Sequence, residues 1–499
     1  MTTDHAFMSA PALAAAIRAK EISSVELLEL YLDRIARLNP GINAVVTIDE
    51  DAARTRAQEA DAALVRGESW GPLHGVPMTL KETFQTAGMR TTAGLEEFAA
   101  FVPEVDADVT ARLRAAGAVI FGKTNVPEGA IDYQCFNPVF GVTNNPWNED
   151  RTSGGSSGGA AAALAAGFTA LEVGSDLGGS IRTPSHSCGV YGLKPTFGII
   201  SVHGHLPPPP GALMEMDNVV VGPMGRSPDD LDLGLDVLAG PDAVRGVAWK
   251  LELPPPRATA LKDFRVGAWL DDSDCPVDAP MLEVMEHAVE ALRGAGVSVD
   301  DTSRPVGLAE SINLYLSVML GGFGRMVPDE PYAEMIRIAE ERAGEDTGEI
   351  RFWPGPSEEE IDLVSARVYT MRVREWHGYE EQRQQVRARW AEYFEDHDVL
   401  LCPVTRTEAI PHDLTPSMSD RTVLINGEQC NYHESHMTWT GLTLMPYLPA
   451  VVAPIGRTRS GLPVGIQIVA PYLEDRTAIE FARRLADVVG GFEAPPGYR

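Results

Sequence analysis

The chain has 499 residues, 44% of them hydrophobic and 22% charged, and this balance predicts a folded protein with a sizeable core rather than a disordered one. At about 150 residues per domain, the length alone allows roughly three domains. Lysine and arginine number 41 against 71 aspartates and glutamates, so the formal net charge is −30. Such an acidic surface repels phosphate groups, which argues against direct binding to nucleic acid or to an anionic membrane.

Residues 9–70 are predicted to be helical. Ser23 and Glu26 form a capping-box pattern ahead of apolar residues at helical spacing, and an alanine-rich helix is expected over Asp51–Arg66. From residue 73 to residue 240, short apolar segments alternate with glycine-rich turns and helical stretches, which is the pattern of a sheet covered by helices. The strands expected there are Ala118–Phe121, Leu171–Val173 and Val219–Val221.

The second half of the chain follows a proline-rich candidate boundary at Pro254–Pro256. A βα-like unit comes next, with a strand at Phe264–Trp269 and a helix at Met281–Ala295. Residues 305–395 are predicted to be helical. This region is rich in large apolar side chains, which are Met319, Phe323, Met326, Tyr332, Met335, Trp353, Tyr369, Trp376 and Tyr379. The last predicted elements are strands at Val399–Pro403, Ala450–Pro454 and Val464–Val469 and a helix at Thr477–Val489.

Cysteine usage and the apolar stretches bear on the cellular compartment. The five cysteines are far apart and form no CxxC pair, so they predict no disulfide framework and suit a reducing compartment. The first residues lack the basic region of a signal peptide. The longest apolar stretches, Ala160–Leu171 and Leu442–Gly456, are shorter than the roughly 18 to 20 residues that cross a bilayer. We therefore expect a soluble, cytoplasmic protein.

Two glycine- and serine-rich segments, Thr152–Gly159 and Gly174–Arg182, carry the strongest chemical signal. Glycine permits positive φ and the close approach of another group. The consecutive amides of residues 177–180 could therefore converge on one point, as they do in a nest that stabilises the oxyanion of a tetrahedral intermediate. Ser180, at the end of this run, is well placed to attack the carbonyl carbon.

A serine hydroxyl needs a base to act as a nucleophile at neutral pH. His186, His203 and His205 lie in segments without a triad pattern, and lysine is the alternative base; the chain has six lysines. Lys81 ends an apolar, strand-like run, where burial would lower the pKa of its amine and leave it uncharged. The same position also fits an ion-paired lysine with a purely structural role.

Five segments together resemble the amidase signature family, in the family's order along the chain. They are Gly75–Glu82, Gly122–Glu128, Gly154–Gly159, Gly174–Arg182 and Cys188–Pro195. The resemblance extends from the first helices to Gly461–Gln467 and is weakest over residues 245–400. At Glu82 the chain departs from the family, which more often has aspartate after the lysine.

The resemblance implies a Ser–cis-Ser–Lys triad. Ser180 corresponds to the nucleophile, Ser156 to a bridging serine held through a cis peptide bond, and Lys81 to the general base. Four residues correspond to the oxyanion hole through their backbone amides, namely Leu177, Gly178, Gly179 and Ser180. Ala130 and Ile131 would line the acyl side of the substrate. Three further residues are expected to support the site, namely Ser175, Asp176 and Arg182.

For the whole chain, the resemblance implies an α/β fold with one α/β/α sandwich around a large mixed sheet over residues 1–499. Residues 70–240 would form the signature core, residues 245–400 a variable, helix-rich region that shapes the substrate cavity, and residues 400–499 a return to the core. No metal or organic cofactor is implied. The expected partner is a small-molecule amide, and homodimers are common among relatives.

Two functions fit this resemblance. One is a free-standing amidohydrolase that cleaves linear amides of small apolar, aryl or alkyl compounds, with esters and carbamates as further candidates. The other is the glutaminase subunit of a tRNA-dependent amidotransferase, whose product ammonia passes to partner subunits.

Other interpretations of the motifs are weaker. Gly154–Gly158 also fits the G-x-S-x-G elbow of α/β-hydrolases, but that elbow follows a buried strand, and here the preceding residues 144–152 are predicted to form a polar loop. Cys188 is expected to be a small buried apolar side chain rather than a nucleophile. Four histidines lack an HExxH pattern and are expected in loops or at the surface rather than at a metal, namely His203, His205, His433 and His436.

Overall fold

The structure is a computed structural model that describes residues 3–206, 210–344, 352 and 358–499; Trp353, named above, lies outside them. The helices are α1 (Ala10–Ala19), α2 (Ser24–Ile42), α3 (Glu50–Val65), α4 (Asp108–Ala115), α5 (Gly158–Ala165), α6 (Arg182–Cys188), α7 (Pro228–Leu238), α8 (Ala279–Gly294), α9 (Leu308–Phe323), α10 (Asp329–Glu341), α11 (Glu358–Tyr369), α12 (Val373–Asp396), α13 (Tyr432–Gly441) and α14 (Asp475–Val489). The strands are β1 (Val45–Ile48), β2 (Pro77–Lys81), β3 (Val119–Thr124), β4 (Phe136–Asn137), β5 (Gly141–Val142), β6 (Asn144–Asn145), β7 (Asn148–Thr152), β8 (Glu172–Asp176), β9 (Tyr191–Lys194), β10 (Val220–Gly225), β11 (Arg265–Ala268), β12 (Ser298–Asp300), β13 (Val399–Pro403), β14 (Thr422–Ile425), β15 (Glu428–Asn431), β16 (Ala450–Arg457) and β17 (Pro463–Val469).

A mixed sheet organises the described chain, with the strand order β12-β11-β13-β17-β16-β9-β10-β8. β11 pairs in parallel with β12 and β13, and the other neighbours pair antiparallel. The region expected to be variable contributes β11 and β12 to this sheet. Strands from residue 172 to residue 469 share this sheet. The predicted fold class, a large mixed sheet covered by helices, is confirmed.

Helices cover both faces of this sheet. α14 packs against β16 together with α7 and α8, while α5 and α6 pack against each other, and α6 contacts β9, β16 and β17. Every residue of α5 and of α6 is buried, which explains why the α5 sequence is almost entirely alanine and glycine. The result is a layered α/β/α arrangement with the glycine- and serine-rich segments at its centre.

A smaller sheet, β1-β3-β2, lies beside the edge strand β8. All five residues of β2 are buried. Thr79 on β2 bonds toward the β8 side: its N–H donates to Thr169 Oγ1 at 2.9 Å, and its hydroxyl donates to the Glu172 carboxylate. These bonds place Lys81, the last residue of β2, next to Ser175 near the end of β8.

Periodicity and apolar runs located several of these elements to within a few residues. The short strands β4, β5, β9, β12, β14 and β15 and the helix α13 were not predicted, and residues 144–152, expected to form a loop, contain β6 and β7. The capping box of Ser23 and Glu26 is present at the start of α2, and β13 spans the predicted residues. The strand β1 was not predicted, because it is a four-residue edge strand in a region dominated by helical patterns. Its pairing with β3 is a tertiary contact with no local signal.

Gly159, in the first turn of α5, shows why this segment needs glycine. A Cβ at this position would lie 2.6 Å from the carbonyl oxygen of Asn125 and 2.8 Å from that of Ala44, and it would also contact the Asn125 nitrogen. All three atoms belong to backbone, so none can rotate away. The α5 helix can therefore approach the end of β3 only without a side chain here.

We expect Gly159→Ala to lower the free energy of unfolding by about 1–3 kcal/mol, because overpacking outweighs alanine's better helix propensity. Urea unfolding of purified protein measures the change. The matched control is Gly378→Ala in α12, where a Cβ would meet nothing within 4 Å. That variant should gain up to about 1 kcal/mol. Equal stability of the two variants would contradict the packing argument.

Candidate active site

Lys81 lies at the centre of the candidate site, with its amine surrounded by serine hydroxyls. Its Nζ is 2.7 Å from Ser156 Oγ, 2.9 Å from Ser157 Oγ and 2.9 Å from Ser175 Oγ. The Lys81 side chain is fully buried. Ser156 and Ser157 lie just before α5, and the peptide bond between Gly155 and Ser156 is cis. Three separate segments, β2, the turn before α5 and β8, therefore meet at one nitrogen atom.

Burial lowers the pKa of Lys81 from its ordinary value to about 7, and the charges of Asp176, Cys135 and Glu172 oppose this shift only in part. An ammonium group gains most from water or a contacting carboxylate, and the hydroxyls around Nζ are neutral. With this pKa, Lys81 is an uncharged amine in a substantial fraction of the protein molecules near neutral pH. The alternative of an ion-paired structural lysine does not fit, because no carboxylate among the described residues forms an ion pair with it.

Ser180 lies beside the other two triad candidates. Its carbonyl oxygen accepts a hydrogen bond from the Ser157 N–H at 3.0 Å, and Ser180 and Ser156 line the same cavity. Among the described residues, no hydrogen bond joins the Ser156 and Ser180 hydroxyls. Such contacts often tighten only when substrate is bound.

The loop of residues 177–180 is held by hydrogen bonds to its carbonyl groups. The hydroxyl of Tyr315, on α9, donates to the Leu177 carbonyl at 2.8 Å, and the hydroxyl of Thr440, on α13, donates to the Gly178 carbonyl at 2.9 Å. The C=O and N–H of one trans peptide point in opposite directions. Tyr315 therefore turns the Gly178 N–H away from itself.

The expectation for Gly179 needs correction. Its N–H donates to Asp176 Oδ1 at 2.9 Å, on the side opposite the bond between Thr440 and the preceding carbonyl. This amide is already satisfied and does not point into an oxyanion site. In the part of the chain that the structure describes, the amides of Leu177, Gly178 and Ser180 donate to no protein acceptor, so these three remain candidates.

Asp176 and Arg182 form a fully buried ion pair behind the loop. Arg182 Nη2 lies 2.8 Å from Asp176 Oδ1, and the Asp176 carboxylate also accepts from the Ile181 N–H at 3.0 Å. Burial alone would raise the pKa of Asp176, but the Arg182 charge and hydrogen bonds outweigh it and lower the pKa to about 2. Arg182 also donates to the side chain of Gln467 at 2.7 Å. The pair thus fixes the loop to the central sheet.

The cavity in front of Ser180 has mainly apolar walls. Ala130 and Ile131 line it, as the resemblance implies. Seven larger apolar side chains also line it, namely Leu177, Val202, Met214, Met216, Val219, Phe323 and Met326. Its charged residues are Asp176, paired with Arg182, and Glu215, which lies 3.5 Å from His203. No lysine or arginine is among the described lining residues.

Four residues in contact with the site were missed by sequence reasoning. Ser157 could have been predicted, because it directly follows Ser156 in the sequence. Tyr315 and Thr440 had no local signal, because the fold brings α9 and α13 to the loop from more than 130 residues away. His205 was interpreted as a loop or surface histidine, but its Nε2 lies 2.8 Å from Ser175 Oγ.

Among the described residues, the other histidines and the cysteine considered above form no hydrogen bond with the Lys81 amine or with the three hydroxyls around it. His436 is buried in α13 with its ring stacked 5.0 Å from that of Tyr133, so the expectation of a loop or surface position was wrong. His186 is buried against the Gly465 backbone. Cys188 is buried, as expected. In the described ranges, no group of three His, Cys, Asp or Glu side chains is arranged to hold a metal ion.

Comparison with known proteins agrees with this arrangement. A family profile described as Amidase matches residues 26–479. The chain is 31% identical over 479 residues to the A subunit of glutamyl-tRNA(Gln) amidotransferase from Thermosynechococcus vestitus (strain NIES-2133 / IAM M-273 / BP-1), covering 93% of this chain and 94% of that protein. It is 32% identical over 494 residues to the protein of the same name from Roseiflexus sp. (strain RS-1), covering 96% of each chain.

A solved structure of a bacterial aryl acylamidase of the amidase signature family superposes with a TM-score of 0.77 at 25% identity, covering 97% of this chain and 96% of that one. The fold and site therefore define a serine hydrolase-like α/β protein with a buried lysine. The chain belongs to the amidase signature family and is a hydrolase of C–N bonds. Within the described residues, no helix is both long enough and apolar enough to span a membrane.

We expect Tyr315→Phe to lower kcat by about tenfold with little change in KM, because one hydrogen bond that orients the Leu177–Gly178 peptide is lost. The hydroxyl also lies 2.8 Å from Met319 Sδ, but a carbonyl is the stronger acceptor. Steady-state kinetics on an amide substrate measures the effect. The control is Tyr393→Phe, since the buried Tyr393 hydroxyl has no partner in the described structure. Equal kcat for the two variants would contradict the role of Tyr315.

Proposed function

We propose that the protein hydrolyses carboxylic amides through an acyl-enzyme on Ser180. The observation that carries this proposal is the fully buried Lys81 amine 2.7 Å from Ser156 Oγ, with Ser156 and Ser180 lining the same cavity. A buried amine with a lowered pKa is a competent general base. We infer that Ser156 relays protons between Lys81 and Ser180.

In the acylation step, Ser180 Oγ attacks the amide carbon and its proton passes to Ser156, while the Ser156 proton passes to Lys81 Nζ. The carbonyl π electrons move to oxygen, and the amides of Leu177, Gly178 and Ser180 stabilise the resulting oxyanion. One such donor is worth roughly 3–4 kcal/mol. Lys81 becomes an ammonium ion in a dry site, which favours return of its proton.

In the collapse step, the oxyanion reforms the carbonyl and the C–N bond breaks. Ser156 delivers a proton to the leaving nitrogen and regains one from the Lys81 ammonium, so the amine leaves neutral and Lys81 is again uncharged. Water then attacks the acyl-enzyme by the same relay in reverse order. The carboxylic acid is released, and the Ser180 hydroxyl is restored.

The cavity favours an apolar acyl group. Most of its larger side chains are apolar, beside His203, His205 and Glu215, and the described lining offers no lysine or arginine for a substrate carboxylate. Free glutamine carries such a carboxylate, and its burial without a partner costs free energy. An aryl or alkyl amide fits this surface better, with esters and carbamates as further candidates. We retain the single domain over residues 1–499, with its three proposed regions, and a homodimer as proposals.

The second candidate is the glutaminase subunit of an amidotransferase. The names of the curated relatives favour it, since both relatives given above are described as the A subunit of glutamyl-tRNA(Gln) amidotransferase and match almost the whole chain. In that case the isolated chain would show activity restricted to glutamine. The two candidates share the chemistry at Ser180 and differ in the acyl group and in the need for partners.

The test is hydrolysis by the purified chain of a panel containing aryl amides, long alkyl amides, esters, carbamates and glutamine. We expect kcat/KM for the best apolar amide to exceed that for glutamine by at least about a hundredfold, the discrimination that an unpaired buried charge supplies. Ser180→Ala is the matched control and should lose the activity. Activity on glutamine alone would establish the second candidate, and full activity of Ser180→Ala would refute both.

The rate should depend on pH through Lys81. Its pKa of about 7 means that the reactive neutral form is lost as pH falls, so kcat/KM should fall about tenfold per unit well below pH 7 and level off above about pH 8. Glu172 is also buried, and burial raises its pKa to about 8. Glu172→Gln is therefore the control, and its kcat/KM should still fall below pH 7 as in the wild type. If the residual activity of Lys81→Met showed the same fall of kcat/KM below pH 7, another group would be the base.

A further inference from the structure

A chain of hydrogen-bonding groups leads from Lys81 to His205. Lys81 Nζ is 2.9 Å from Ser175 Oγ, and the same oxygen is 2.8 Å from His205 Nε2. His205 also lines the cavity that contains Ser180. The imidazole is therefore one hydroxyl away from the amine on which the proposed reaction depends.

The position of His205 is fixed by the segment that follows Lys81. Residues 83–85 and 204–206 are held together by backbone hydrogen bonds, from the Gln85 N–H to the Gly204 carbonyl at 2.9 Å and from the Leu206 N–H to the Thr83 carbonyl at 2.8 Å. The His205 ring packs edge-on to the ring of Phe84 at 5.2 Å. The contact with Ser175 is thus built into the backbone that carries Lys81.

The hydrogen atoms around Lys81 decide whether its lone pair is available. A neutral amine has two N–H donors and one lone pair, and three hydroxyls lie within 2.9 Å of Nζ. Lys81 can accept a proton from Ser156 when its two N–H groups donate to the other oxygens around it, which are the hydroxyls of Ser157 and Ser175 and, at 3.5 Å, the Ser175 carbonyl. A hydroxyl of Ser175 that donated to Nζ would instead compete with Ser156 for the lone pair.

We propose that His205 is a positioning residue that accepts the Ser175 hydroxyl hydrogen at Nε2 and so directs the Lys81 lone pair at Ser156. With its hydrogen committed to His205, Ser175 can only accept from Lys81. The proposal rests on the proposed function, because it concerns the same base. It adds that a side chain outside the triad sets the direction of the proton relay.

The test uses an alkyl fluorophosphonate, which reports activation of Ser180 without a known substrate. Intact-protein mass spectrometry follows labelling, and the concentration dependence separates the maximal rate from probe affinity. We expect His205→Phe and Ser175→Ala each to slow the maximal rate by about tenfold with unchanged affinity. The double variant should be no slower than either single variant, since both remove the same interaction.

His205→Gln provides the conservative rescue, because its amide oxygen can accept from Ser175, and it should label within about threefold of the wild type. His287→Phe, at an exposed position on α8, is the control and should label at the wild-type rate. Thermal unfolding of every variant shows whether a slower labelling rate comes from misfolding. If His205→Phe is unstable, the comparison of His205→Gln with the wild type and with Ser175→Ala still tests the inference.

Three results would overturn the inference: wild-type labelling of His205→Phe, losses that multiply in the double variant, or a His205→Gln rate as slow as that of His205→Phe. A loss confined to probe affinity would make His205 a substrate contact instead. Failure of the wild type to label at Ser180 would overturn the proposed function, and the inference with it. The two failures are therefore distinguishable.

Discussion

An amine buried among neutral hydroxyls is the constraint on which the rest of the site depends. Lys81 is carried into the interior by β2, all of whose residues are buried, and it meets hydroxyls at 2.7–2.9 Å rather than a carboxylate. An ammonium ion in this position lacks the compensation that a buried charge requires. The lowered pKa follows from this placement, and the buried pair of Asp176 and Arg182 holds the neighbouring loop without supplying a counter-ion to the amine.

Much of the fold could be predicted because its elements carry strong periodic patterns. Apolar runs located β13, β16 and β17, and a capping box located the start of α2. The edge strand β1 and the strand order of the sheet could not be derived in this way, because pairing between distant segments leaves no local pattern. The overall architecture was predicted by resemblance to a family rather than from periodicity.

The same distinction applies to the site, where residues in sequence motifs could be predicted and residues brought there by the fold could not. The three serines around Lys81 Nζ lie in glycine-rich segments that stand out in the sequence, and Lys81 ends an apolar, strand-like run. Tyr315 and Thr440 come from helices whose own sequences give no sign that they contact the loop, and His205 was expected to be a loop or surface histidine without a role at the site. Gly179 illustrates a different difficulty. The motif predicts which residues form the loop, but the direction of the Gly179 N–H depends on its hydrogen bond to the Asp176 side chain.

The most direct test of the central claim is the titration of the Lys81 amine itself, followed by NMR of protein labelled at the lysine ¹³Cε. The chain has only six lysines, so single substitutions assign each signal. The account predicts that the Lys81 signal titrates near pH 7 and moves toward the ordinary lysine range when the protein is unfolded. A Lys81 signal that shows a charged amine up to about pH 10 in the folded protein would contradict the lowered pKa.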